Sequence, residues 1–313
     1  MGPSKNRRQR AAALLCGLLL AAPCPAWAGA WTVPRNRWYA EHYWRYYHSK
    51  KTFDERRDSS RRAKTAMFSD IRNELKLEYG LADGINLLAS VPYQSAHYRD
   101  DNVDLLNTGV GDIYVRGKFR LMREPVVSSL QLSWKIPSAY DPNVSPGLGD
   151  GQVDFETRLQ VSRAWLFPPA TAVAPPQAGG RDEALRQAVP GTAVATAHQR
   201  VAFVNAETGI TWRNEESANE VPFVFEAGMT PLRRLMLIGS WESVTSIRST
   251  SEAGEDFGKW GLRAVVNVWG DGFVSVFREG GPTVNLEVGY TDIATGRNTA
   301  DAYELFGKVA IFY

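Results

Sequence analysis

Arg116, Lys118 and Arg120 stand at every second position of GDIYVRGKFRL (111–121). A spacing of two places three cations on one face of an extended chain, and such a wall selects anionic or polar solutes. Segment IRNELKLEYGL (71–81) repeats the arrangement, with Arg72, Glu74, Lys76 and Glu78 alternating along one face. Lys135 follows in 127–136, and Asp154, Glu156 and Arg158 in 153–161. Arg263, Lys308, Glu207, Glu242, Glu287 and Glu304 share the same polar parity. On the first reading these groups form a polar pore whose basic wall sorts charged solutes. The same residues also support a second reading, a cross-strand salt-bridge network that fills and stiffens a narrow interior. The near balance of charge favours the network; the run of three alternate cations favours a selective patch.

The elements that carry these residues are strands. Opposite the charged face of 71–81 lie Ile71, Leu75, Leu77, Tyr79 and Leu81, and opposite that of 111–121 lie Ile113, Val115, Phe119 and Leu121. Strict alternation is the signature of a two-faced strand. It recurs near 37–48, 85–95, 127–136, 153–161, 201–213, 221–230, 235–247, 258–269, 283–294 and 302–313, giving about twelve strands, most about ten residues or longer, where soluble strands have a mode of about five or six. Strands of that length cross a bilayer at a tilt. Aromatic residues crowd strand ends at Trp38, Tyr93, Trp165, Trp212, Trp260 and Tyr313, where interfacial girdles lie. The expected fold is all-β, a transmembrane antiparallel up-and-down barrel of about 12 strands. Its apolar parity faces lipid and its polar parity faces the lumen.

The first residues read as an export signal. KNRRQR supplies a positive region, AAALLCGLLLAAP (11–23) a short apolar core, and AWA (26–28) a small-x-small cleavage pattern. Residues 1–28 are therefore expected to be removed and 29–313 to form the barrel, with a Pro/Ala/Gly-rich insert at 167–199. Both cysteines, Cys16 and Cys24, lie in the removed piece, so no disulfide and no Cys-ligated metal is expected. The expected location is the bacterial outer membrane. YELFGKVAIFY (303–313) alternates to its last residue. It is expected to pair with the first strand, because an open edge in lipid leaves backbone groups unpaired. It also resembles the C-terminal signal read by the barrel-assembly machinery of Gram-negative bacteria. The segment 49–66 carries seven basic residues and is expected as an outer loop against lipopolysaccharide. Inner turns are expected near 81–84, 123–126, 231–234 and 270–281.

The partners implied are outer-membrane lipid and lipopolysaccharide, the assembly machinery through 303–313, and a small-molecule solute. With a net charge of +2 no nucleic acid is expected. No cofactor is expected, and no metal, because the histidines show no ligand spacing. The chain is not expected to be an enzyme. A phospholipase-like reading would use His42, Asn73 and Ser69 on the lipid face, but acyl transfer needs a serine hydroxyl within hydrogen-bond reach of an imidazole, and no local His-Ser motif supplies one. A third reading is a structural barrel supporting envelope or exopolysaccharide export, docking through the insert. A charged lumen is a poor path for a greasy solute, so a hydrocarbon would leave through the side of the wall.

Three stretches carry a family resemblance: TGVGDIYVRGKFRL (108–121), KIPSAYDPNVSPGLGDGQVDFETRLQVSR (135–163) and DIATGRN (292–298). They are similar to the MetA-pathway of phenol degradation family, outer-membrane barrels often called transporters. The Thr-Gly-x-Gly-Asp that opens one strand and the Leu-Gly-x-Gly-Gln pattern before another are its most specific parts. The resemblance implies a barrel and passage of small aromatic or hydrophobic compounds.

Overall fold

Alternation makes each segment a ribbon with one apolar and one polar face, and neither face can be left in the wrong solvent. The computed structural model describes residues 29–61, 66–167, 200–213, 218–247, 255–270, 273 and 282–313. The strands are β1 (Trp38–Phe53), β2 (Ser59–Arg61), β3 (Met67–Ala82), β4 (Ile85–Arg99), β5 (Asp104–Val110), β6 (Ile113–Met122) and β7 (Val127–Ile136). They continue with β8 (Asp154–Phe167), β9 (Arg200–Trp212), β10 (Asn219–Leu232), β11 (Leu235–Ile247), β12 (Asp256–Trp269), β13 (Thr283–Arg297) and β14 (Ala300–Phe312). β2 is a short addition to β1, and β5 and β6 share one place in the wall beside β4. Twelve wall positions result, each antiparallel to its neighbour, and β14 pairs β1 to close the cylinder.

The faces are distributed as a membrane barrel requires. Leu75, Leu77, Leu87, Leu121, Leu262, Leu286 and Val288 point outward and are exposed, Leu262 to 61%. Glu41, Lys118, Lys135, Asp154, Glu287 and Glu304 point inward and are buried. In water this would be an inverted protein; in a bilayer it is the stable arrangement. Among the described residues no helix is long and apolar enough to cross a membrane, which says nothing of strands. The hairpin between β3 and β4 turns at Asp83–Gly84, where Gly84 has φ of 83°, a conformation glycine adopts without steric cost.

Two segments differ from the sequence expectation. β1 continues to Phe53 and β2 occupies part of the loop expected at 49–66, while β5 is a further strand, beside β4, that the alternation pattern did not mark. In β5 the adjacent Leu105 and Leu106 break alternation. This hairpin arm pairs only with the outer half of β4, so no buried face imposes a period on it. The export signal and residues 168–199 of the insert lie outside the described residues. Phe167 and Arg200, which flank the insert, pair with each other at the inner end of the wall.

The apolar core sits inside the cylinder at the end that bears the short turns and the start of β1. Val127, Ala164, Val201, Phe203, Met236, Ile238 and Val265 project into the lumen there and pack with Ala30, Trp31 and Phe273. Trp31 meets Phe203 edge-on, ring centroids 6.2 Å apart. The segment before β1 therefore enters the barrel and lines its inner mouth.

Candidate functional site: a charged lumen between two inward segments

β7 orders the interior from one end to the other, because every second side chain points inward. Val127 belongs to the apolar core. Ser129 donates its hydroxyl to the Ala30 carbonyl. Gln131 and Ser133 line an open cavity. Lys135 pairs with Asp150 of the outer loop at 2.5 Å. The cavity thus lies between the N-terminal segment and a loop that folds in from the outer mouth.

Polar side chains of the wall hold the N-terminal segment. Ala30 N–H donates to Ser162 Oγ at 3.0 Å, Lys118 Nζ to the Trp31 carbonyl at 3.3 Å, and Arg120 Nη1 to Thr32 Oγ1 at 3.0 Å. Asn36 N–H donates to the Gly80 carbonyl at 2.8 Å, and Gly80 N–H to the Arg37 carbonyl at 2.9 Å. Gly80 has no side chain because there is no room for one: a Cβ there would collide with the Pro34 carbonyl oxygen.

At the outer mouth the loop between β7 and β8 is fixed from three sides. Gln94 Nε2 donates to the Leu148 carbonyl at 2.5 Å, and Asn107 Nδ2 to the Pro146 carbonyl at 3.0 Å. Tyr140 donates to Asp112. Lys135 also meets Asp154 at 2.5 Å, and Arg213 reaches Asp150 at 2.6 Å and Glu220 at 2.7 Å. Asp150 is pushed up by burial, but hydrogen bonds from Lys135, the Gln152 N–H and Arg213 bring it below the usual carboxylate range.

The cavity between them has a volume of about 620 Å³. Of the sequence-expected residues, Arg72, Glu74, Lys76, Arg116, Lys135, Asp154, Glu156 and Arg158 all line it. Lys118 and Arg120 lie nearer the inner end on the N-terminal segment, and Glu78 pairs there with Lys118 at 3.5 Å. The three alternate cations of β6 are thus divided: Arg116 faces the cavity, and the other two grip the segment. Arg213, Glu220, Glu207 and Tyr114 also line it; of these only Glu207 stood out in the sequence, by its parity. Arg213 and Glu220 lie at strand ends, where alternation gives no guide. The N-terminal segment had a legible signal. The inward parity of β9 and β11 turns apolar at Val201, Phe203, Met236 and Ile238, so something apolar had to meet them.

Most of the interior charge is paired. A belt runs Glu226–Arg263–Glu287–Lys308–Glu41–Lys76 around the wall from β10 to β3. Arg45 joins Asp70 to Glu304, Lys259 joins Glu242 to Glu304, and Arg158 joins Glu156 to Glu207. Networks of this kind fix wall and lumen shape.

The acyl-transfer candidates do not assemble. His42 lies opposite Leu75 and Val309. Ser69 lies opposite His48 and His97. His97 is engaged with Asp104 at 2.6 Å, His48 with Tyr46 at 3.3 Å, and among the described residues no hydrogen bond joins Ser69 to either ring. Among the described residues no group of three or more His, Cys, Asp or Glu side chains is placed to hold a metal.

No protein-family profile and no curated protein sequence matches the chain. Solved structures do. The COG4313 outer membrane channel from Pseudomonas putida F1 superposes with a TM-score of 0.62 at 10% identity, over 90% of this chain and 97% of that one. The translocator domain of the autotransporter NalP from Neisseria meningitidis (7% identity, 98% and 94% of the two chains) reaches a TM-score of 0.38. That similarity is too loose to bear on the reading. What the first likeness carries is the fold: this chain is a closed twelve-strand antiparallel barrel of the outer-membrane kind.

Proposed function

We propose that this protein is an outer-membrane channel for small polar or anionic solutes, not an enzyme. The supporting observation is the polar cavity of about 620 Å³, bounded by the N-terminal segment at one end and the loop 137–153 at the other. An ion-pair network that plugged the lumen would leave no such cavity. Here the ion pairs line the wall and leave solvent-sized space. The family resemblance in 108–121, 135–163 and 292–298 fits the same reading, as does export by residues 1–28 to the outer membrane. Recognition of β14 by the assembly machinery and contact of the basic 49–66 region with lipopolysaccharide belong to the proposal too. A second reading, lateral passage of apolar solutes, draws on the break between β5 and β6, where Gly111 N–H reaches back to the Pro92 carbonyl at 3.1 Å.

The test is planar-bilayer recording of the refolded protein beside a variant lacking residues 29–35. Small unitary steps in the full protein, enlarged in the deletion, are expected. Silence in both would rule out a channel.

A further inference from the structure

The geometry points to a binding subsite for a small organic carboxylate in the lumen, formed by Arg72, Arg116, Tyr114 and Leu88. It deepens the channel reading and rests on it for its place in transport. Six basic side chains line the cavity. Lys76, Lys135, Arg158 and Arg213 each meet at least one carboxylate within 4.0 Å. Arg72 and Arg116 meet none among the described residues. Arg72 makes no side-chain hydrogen bond there, and its Nε is buried without a partner. Arg116 has a single long hydrogen bond, to Ser90 Oγ at 3.4 Å.

A guanidinium carries five N–H donors in a planar fork that matches a carboxylate, and the Arg72 Nε–H, buried without a partner, leaves a hydrogen bond unmade that an incoming anion would complete. A wall that pairs every other cavity cation but leaves these two open has donor capacity for an anion from outside. Glu74, between Arg72 and Lys76 in the pattern of β3, is drawn toward Lys76 at 3.8 Å. The neighbouring groups set the rest of the ligand. The Arg116 guanidinium lies 4.8 Å from the centre of the Tyr114 ring, which orients it, and Leu88 stands directly opposite Arg116 across β4 and β6. An aromatic ring and a leucine beside the Arg116 guanidinium, with Arg72 lining the same cavity, suit a carboxylate attached to a small apolar body better than inorganic phosphate or a sugar.

The experiment is calorimetric titration of benzoate into the full chain in detergent, with inorganic phosphate and benzyl alcohol as comparison probes. Saturable benzoate binding is expected, with weaker phosphate and benzyl alcohol binding. Affinity should fall at least tenfold in Arg72→Gln and in Arg116→Gln. Arg116→Lys, which keeps the charge and loses the fork, should weaken binding too, while Arg297→Gln at the outer rim should leave it unchanged. Absence of saturable heat with benzoate, equal affinity for phosphate, or undiminished binding in both glutamine variants would overturn the proposal. Folding of each variant is checked by heat-modifiable mobility; if one glutamine variant fails to fold, the other carries the test. Binding lost in the variants, alongside silence in the bilayer, would uphold the subsite and remove the channel.

Discussion

Trp38 and Tyr313 exchange both of their backbone hydrogen bonds, Trp38 N–H to the Tyr313 carbonyl at 2.9 Å and Tyr313 N–H to the Trp38 carbonyl at 3.0 Å. Their rings lie 5.6 Å apart on the lipid side. The seam of the cylinder is therefore paired to its end. Tyr313→Ala removes only the ring contact, at about 0.5–1.5 kcal/mol, read as a shift of the urea midpoint in lipid. Removing 309–313 exposes several backbone groups to lipid, each costing several kcal/mol, and should abolish the fast-migrating folded band in unheated electrophoresis.

The same seam is stitched from inside by Lys308, which reaches Glu41 at 3.4 Å and Glu287 at 2.9 Å. Lys308→Met takes one of two cationic partners from each of two buried carboxylates, Glu41 keeping Lys76 and Glu287 keeping Arg263, and should cost less than the about 3–5 kcal/mol of a wholly unpaired buried charge. Adding Glu41→Gln should restore part of that loss, and the double-mutant cycle should give a coupling of about 0.5–3 kcal/mol. Strict additivity would mean that the pair does not act as one.

Lys135 latches the outer loop. Lys135→Gln should open 137–153 to protease without unfolding the wall. Acid should do the same through Asp150. Its value in the folded state lies below the usual carboxylate range. Its contribution is therefore complete at neutral pH, begins to fall as pH drops below the ordinary carboxylate value of about 3.9, and is gone once pH is below the depressed value. Limited proteolysis from neutral pH down to about pH 3 should show cleavage in this loop only at the acid end.

Gly80→Val should push Pro34, and with it the N-terminal segment, away from β3 and widen the inner mouth. Unitary conductance should rise while the folded band is retained. Unchanged conductance would mean that the segment does not limit flow.

Leu262 lies near the middle of β12 on the outer face. Leu262→Arg should destabilise by about 2–4 kcal/mol if that position is at the bilayer midplane, measured by reversible denaturation in lipid vesicles.

How far the sequence carried this reading depends on solvent. Where a strand separates lipid from lumen, as at Ile71–Leu81, a one-residue slip would put Glu74 and Lys76 into hydrocarbon, so alternation is enforced and legible. The β5 arm is under no such constraint, and Leu105–Leu106 hid it. Eight of the expected lumen residues share one cavity because parity sorts them inward. Parity does not say which end of a strand a residue occupies, and that is why Lys118 and Arg120 look like partners of Arg116 although they hold Trp31 and Thr32. Pairing is equally invisible: nothing in the spacing tells that Arg158 is matched by Glu207, 49 residues away in sequence and on the neighbouring strand, while Arg72 is left open.

The placement of Trp31 against Phe203 constrains what can be joined to the chain. Residues 29–35 must pass into the inner mouth for that contact to form. Bulky attachments just upstream of Ala30 would obstruct that step. A label is better carried at the exposed tip near Asp101, far from the closing edge.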